Sequence, residues 1–168
     1  MKRAITILAI ASMASAFRPA PLAERYVAVL DGAHASPEVL SSAGAVAKFT
    51  VLSDTAIQYE LQVARLRDPW SAGLYSAGPG RNGFKSVTLY VGIKSGEMNG
   101  ILAEGTITNR DTLAGMTVKE LVDLLRKRQA YVEIRTAAHP SGEIRGWVMP
   151  AEEWERKIAV ENRPTLVY

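Results

Sequence analysis

The sequence predicts an all-β fold: an antiparallel β-sandwich, immunoglobulin-like or barrel-like, with one short inserted α-helix. Three observations predict it. Apolar and polar side chains alternate in short runs, most cleanly where Ile57, Tyr59, Leu61 and Val63 interleave with Gln58, Glu60 and Gln62. Turn residues recur at spacings of roughly 8 to 15 residues, as sandwiches and barrels require and βαβ folds do not. Helical spacing with clear end signals is confined to Val118 to Lys127. Roughly seven to nine strands are expected at this spacing.

In chain order, residues 1–16 read as a leader. Met1-Lys2-Arg3 is a short basic start, Ala4 to Met13 an apolar run, and Ala14-Ser15-Ala16 a cleavage site. That run is too short to span a bilayer, which takes about 20 residues. The expected mature chain starts near Phe17 and is secreted or periplasmic, with no membrane span after signal cleavage. Residues 17–25 form a linker containing Pro19 and Pro21. Tyr26 to Leu30 is the first strand and Asp31-Gly32 turns it. Ala45, Ala47, Phe49 and Val51 face one way on the second strand. Across the turn Ser53-Asp54-Thr55, Lys48 to Leu52 pairs with Ile57 to Val63 as a hairpin. Arg67 to Gly83 is rich in Gly and Pro and reads as a loop. Val87, Leu89 and Val91 share a face of the next strand, and Lys94 to Gly100 is a turn. Ile101, Ala103, Gly105 and Ile107 follow as a strand in which Gly105 marks a bulge or a close approach.

Thr117 caps the helix, with Glu120 completing a capping box and Met116 stapling onto Leu121. Val118, Leu121, Val122 and Leu125 make its apolar face. Arg126, Lys127 and Arg128 sit at the end where the dipole favours cations. The last hairpin runs from Tyr131 to Met149. Val132, Ile134 and Thr136 oppose Tyr131, Glu133 and Arg135 on its first strand. Ile144, Gly146 and Val148 oppose Glu143, Arg145, Trp147 and Met149 on its second. Residues 151–168 form a tail in which AEEWERKIAV has the pattern of a short amphipathic helix, with Trp154 and Ile158 on one side. The tail packs on the sandwich or serves assembly.

The string AYVEIRTAAHPSGEIRGWV, Ala130 to Val148, resembles the C-terminal signature of CHRD (chordin-type) domains, roughly "aYVNVHTxxxPxGEIRGQ". Gly32, Pro37, Val39, Ser42, Gly44, Ala47 and Phe49 take matching places in that family's opening, and the resemblance covers about residues 26–150. It implies a secreted recognition module. It also implies a departure: Gly73-Leu74-Tyr75 stands where the family has His-x-His, and Arg135 stands where it has the histidine of "VHT".

Composition excludes much chemistry. The chain has no cysteine, hence no disulfide, thiolate metal site or cysteine nucleophile. His34 and His139 are its only histidines, and His34 reads as a solvated turn residue. There is no phosphate loop, nucleophile elbow, zinc spacing or calcium loop. Removal of Lys2 and Arg3 with the leader leaves 18 basic and 17 acidic side chains, so charge does not argue for nucleic acid or an anionic membrane. His139, Ser141 and Glu143 surround a tight turn whose alternating faces separate them, against a catalytic triad.

The candidate ligand-binding residues are therefore Tyr75, Arg135, His139, Glu143 and Arg145, with no catalytic set, no metal set and no cofactor. Tyr75 and Arg135 suit an anion-tolerant patch, although pairing of Arg135 with Glu133 or Glu143 is the simpler expectation. Glu143 and Arg145 share a strand face, close enough to interact or to reach cross-strand partners. The expected function is a non-catalytic binding or structural module of the envelope or exterior, with an unknown protein partner or self-association through edge strands or the tail. The alternative is a metal- or small-ligand-dependent enzyme with its site near Tyr75 and Arg135.

Overall fold

A computed structural model of the chain describes residues 23–77 and 83–161. The leader, most of the linker, the Gly78 to Asn82 segment and the last seven residues lie outside the described residues.

Nine strands and two helices are seen among them. The strands are β1 (Arg25–Leu30), β2 (Gly44–Ser53), β3 (Ala56–Arg67), β4 (Pro69–Ser76), β5 (Phe84–Val91), β6 (Glu97–Thr108), β7 (Ala130–Thr136), β8 (Ile144–Trp147) and β9 (Met149–Pro150). The helices are α1 (Val118–Arg126) and α2 (Ala151–Glu161). All strand pairs are antiparallel. One sheet has the order β6-β3-β2-β1-β9 and the other β5-β4-β7-β8. Their facing surfaces enclose a single apolar core that includes Phe49, Ile57, Leu61, Leu74, Val132, Ile134 and Ile144, with Val118, Leu121 and Leu125 of α1. This is the all-β sandwich that the alternation predicts.

The expected hairpin is present, with Lys48 opposite Glu60 and Phe49 opposite Tyr59. Gly105 marks a close approach: a Cβ there would lie 3.2 Å from the Tyr59 ring. The capping box on α1 is complete, since Glu120 N–H donates to Thr117 Oγ1 while Thr117 N–H donates to Glu120 Oε2 at 2.7 Å. The Thr117 backbone N–H first, and its hydroxyl, donating at 2.9 Å, second, hold the Glu120 carboxyl below its usual range. α2 realises the helical pattern of the tail. Trp154 and Ile158 are half-buried, and the helix is tied by Arg25–Glu155 and Arg128–Glu153 ion pairs.

Two segments depart from expectation. The stretch taken as loop contains β4, a central strand whose residues Ser71 to Tyr75 are all buried. A strand covered on both faces does not alternate, and its small residues Ser71, Ala72 and Gly73 imitate loop composition. Asp68, at φ 50°, turns the chain in one residue from β3 in the first sheet to Pro69 in the second. Asp tolerates this left-handed conformation, and Pro needs no ladder donor at a strand's first position. In β5, Val91 does not join Val87 and Leu89 in the core: it is 72% exposed, beyond a register shift between Ala72 and Gly73.

The edges of the sandwich are stitched. Arg145 N–H donates to Asp31 O at 3.0 Å, and Asp31 N–H returns a bond to Arg145 O, linking β8 to the end of β1. On the opposite side Leu113 N–H donates to Ser86 O at 2.8 Å, which lays the β6–α1 connection along β5. Val148 N–H bonds Ala130 O, and the next two residues pair with β1, so the final hairpin ends in the other sheet.

Glu24, at the entry to β1, clamps α1. Its carboxylate receives Arg126 Nη2 at 2.6 Å and Nε at 3.0 Å, and the Tyr26 hydroxyl at 2.7 Å. The Arg126 bonds, followed by the Tyr26 bond, hold its carboxyl below the ordinary range. A lowered carboxyl pKa adds stability above the unfolded-state value, and that stability is lost as pH falls through the folded-state value. Both partners are over 40% exposed, so Glu24→Gln is expected to cost only about 0.5 kcal/mol at neutral pH. Urea midpoints of the two proteins should converge as acid protonates Glu24; a constant gap down to strongly acidic pH would contradict this.

Candidate functional site

The site lies on the face of the four-stranded sheet that points away from the core. Strand pairing arranges it in three cross-strand rows. Lys85, Tyr75, Tyr131 and Trp147 are successive partners across β5, β4, β7 and β8. Thr88, Gly73, Glu133 and Arg145 form the second row, and Val91, Ser71 and Arg135 the third. Side chains directly opposite on one face are in reach of one another, so the rows dictate the contacts.

The aromatic row packs as a ladder. Tyr75 and Tyr131 stack with ring centroids 5.1 Å apart, and Trp147 meets Tyr131 edge-on at 5.2 Å. Arg145 lies over the Tyr131 ring at 4.3 Å, within cation–π range. Beside it, Glu133 accepts from Arg145 Nη2 at 2.5 Å and Nε at 3.1 Å through Oε2, and from Arg135 Nε at 3.2 Å through Oε1. Glu133 and Arg145 are 3% and 5% exposed, so this is a buried ion pair with a second, half-exposed arginine attached. Gly142, at φ 129°, roofs it: a Cβ at Gly142 would lie 2.8 Å from the Glu133 carboxyl carbon.

Lys85 and Arg135 both approach the Tyr75 ring, each with its cationic centre 5.8 Å from the centroid. Gly73 makes room for this, because a Cβ there would lie 3.0 Å from the Tyr75 ring and 3.1 Å from Lys85 Cε. Burial pushes the Tyr75 hydroxyl above its ordinary range, with Arg135 pulling the other way. Burial, reinforced by Arg135, holds Lys85 below the usual lysine range.

The structure therefore brings Tyr75, Arg135 and Arg145 together and leaves Glu143 and His139 outside the cluster. Glu143 does not serve Arg145: its two carboxylate oxygens receive the Thr136 and Ser41 hydroxyls, each at 2.6 Å. His139 contributes backbone, its carbonyl accepting from Gly142 N–H and Thr136 N–H. Ser141 is exposed while Glu143 is engaged elsewhere, so the described contacts assemble no Ser–His–Glu triad. His34 pairs with Asp31 at 2.6 Å on the surface, the solvated turn role expected of it. Among the described residues, no group of three or more His, Asp or Glu side chains could hold a metal ion.

The geometry also explains the motif ending in GEIRG. Gly142 supplies the positive φ, Glu143 ties Thr136 to Ser41, Ile144 is fully buried, Arg145 neutralises Glu133, and Gly146 lies against the β1 backbone. The family model for the CHRD domain matches residues 26–148, a span bounded by β1 and the end of this motif. The chain belongs to the CHRD family. Comparison with curated proteins and with solved structures gave no match. In this CHRD domain, Gly73, Tyr75 and Arg135 converge on one patch of sheet.

Membership makes the chain a module of an extracellular, binding type. No helix among the described residues is long and apolar enough to cross a membrane. Lys85, Tyr131 and Trp147 join the site without having been singled out from sequence. The alternation Tyr131–Glu133–Arg135 carried a signal for Tyr131. None existed for Lys85, because its neighbour across the sheet was the strand read as loop.

Proposed function

We propose that this CHRD domain is a secreted, non-catalytic protein-recognition module, exported with the leader at residues 1–16, and that it binds its partner through the outer face of β5-β4-β7-β8. One observation carries this reading: among the described residues, three cations, Lys85, Arg135 and Arg145, cluster on that face around one carboxylate, Glu133, on an aromatic ladder. Aromatic and arginine side chains are the common anchors of protein interfaces. Their cluster stands on packed strands, which holds it in place before a partner arrives.

The test is capture from the host's extracellular or envelope fraction by the immobilised mature protein, with Arg135→Glu and Lys48→Glu as variants. Lys48 lies on the opposite sheet, paired with Glu60. One protein should be retained at stoichiometric yield by the wild type and by Lys48→Glu, and lost with Arg135→Glu. Retention by Arg135→Glu with loss by Lys48→Glu would move the binding face to the other sheet.

A further inference from the structure

We propose that Tyr75, Lys85 and Arg135 form an acceptor for one carboxylate of a protein partner, an Asp or Glu side chain flanked by apolar residues. This rests on the reading that the outer face of the four-stranded sheet is the binding face.

The donors around this point are under-used. Arg135 spends only Nε on Glu133, and its two Nη atoms make no hydrogen bond among the described residues. Its side chain is 31% exposed, so the free end of the guanidinium reaches water. Lys85 Nζ has one polar partner, Ser71 Oγ at 3.5 Å, the outer limit of a hydrogen bond. The Tyr75 hydroxyl makes no hydrogen bond among the described residues, and the Tyr75 ring, 5% exposed, underlies both cations. Glu133 does not satisfy the group, since both its oxygens are taken by Arg145 and by Arg135 Nε. Two cations therefore approach one tyrosine ring with excess positive charge.

The chemistry selects the ligand. A carboxylate takes two parallel N–H bonds from the Arg fork and a third from an ammonium. A long polyanion needs an extended basic stripe, whereas this patch is bordered by Val91, 72% exposed, and by Thr88 and Trp147. An acidic residue with an apolar neighbour matches both the charge and the border.

The experiment is NMR titration of labelled mature protein with the blocked peptide acetyl-Leu-Glu-Leu-amide, with its Gln counterpart, and with a sulfated disaccharide. The Glu peptide should give saturable shifts at Arg135 Nε–Hε, the Lys85 ε-methylene and the Tyr75 ring, and the Gln peptide should give none. Arg135→Gln and Lys85→Gln should each weaken binding by about tenfold, the scale of one charge-assisted hydrogen bond. Lys85→Arg should restore most of the loss, separating charge recognition from altered packing. Equal binding of the Gln peptide, shifts confined to other surfaces, or stronger binding of the sulfated sugar at these residues would overturn the proposal. If partner capture depends on Arg135 while the Glu peptide gives no shifts, the face stands and the carboxylate is rejected.

Discussion

Gly146→Ala is expected to be the most damaging single substitution in the domain. A Cβ at this position would lie 2.1 Å from the carbonyl oxygen of Val29 and 2.6 Å from its carbonyl carbon. Neither atom belongs to a flexible side chain, so relief requires β8 to withdraw from β1. That movement would break the reciprocal backbone bonds between Asp31 and Arg145, which join the two sheets along this edge. It would also displace Arg145 from Glu133 and Tyr131. A cost of about 3 kcal/mol or more is expected, at the upper end for overpacking. Denaturant unfolding of the two proteins at matched m-value measures it; a shift under about 1 kcal/mol would show that the strands separate without cost.

Glu133→Gln is the second large effect. The glutamine is nearly isosteric but neutral, and the Arg145 guanidinium beside it is 5% exposed. The variant therefore breaks the Glu133–Arg145 ion pair by neutralising one buried partner, a change that typically costs about 3–5 kcal/mol. Arg135→Gln should cost roughly 1 kcal/mol or less, because the exposed half of its pair is screened by water. Adding Arg145→Met to Glu133→Gln should recover much of the stability, since removing both charges avoids the desolvation penalty. A double variant as unstable as Glu133→Gln would show instead that the geometry of Arg145 over Tyr131 supplies the stabilisation.

The two predictions concern residues that differ in how visible they are in sequence. Glu133 and Arg135 alternate with Val132 and Ile134, so their common face could be read from period two alone. Their neighbour Arg145 was placed on a face of the next strand by the same rule. Gly146 could be flagged only as a strand glycine, because the backbone it approaches lies over a hundred residues earlier in the chain. The α1 cap, the hairpin of β2 and β3, and the half-buried Trp154 and Ile158 of α2 were legible, since each depends on local spacing. β4 was not legible. Ser71 to Tyr75 are buried on both faces, Ser71, Ala72 and Gly73 are too small to alternate, and the single-residue corner at Asp68 has the composition of a turn. With β4 hidden, the pairing of Lys85 with Tyr75 was hidden too, and with it half of the cationic patch. Glu143 misled for a simpler reason: spacing put it beside Arg145, but the turn delivers its carboxylate to Thr136 and Ser41.

Photo-crosslinking tests the binding face most directly. A photoreactive amino acid would replace Thr88, which is exposed in the middle row of that face, or Lys48, exposed on the other sheet. Each protein would be irradiated in the host's extracellular or envelope fraction. A discrete crosslinked protein from position 88, absent from position 48 and competed by unlabelled wild type but not by Arg135→Glu, is the predicted result. The same band from position 48 alone would contradict it and place recognition on the five-stranded sheet.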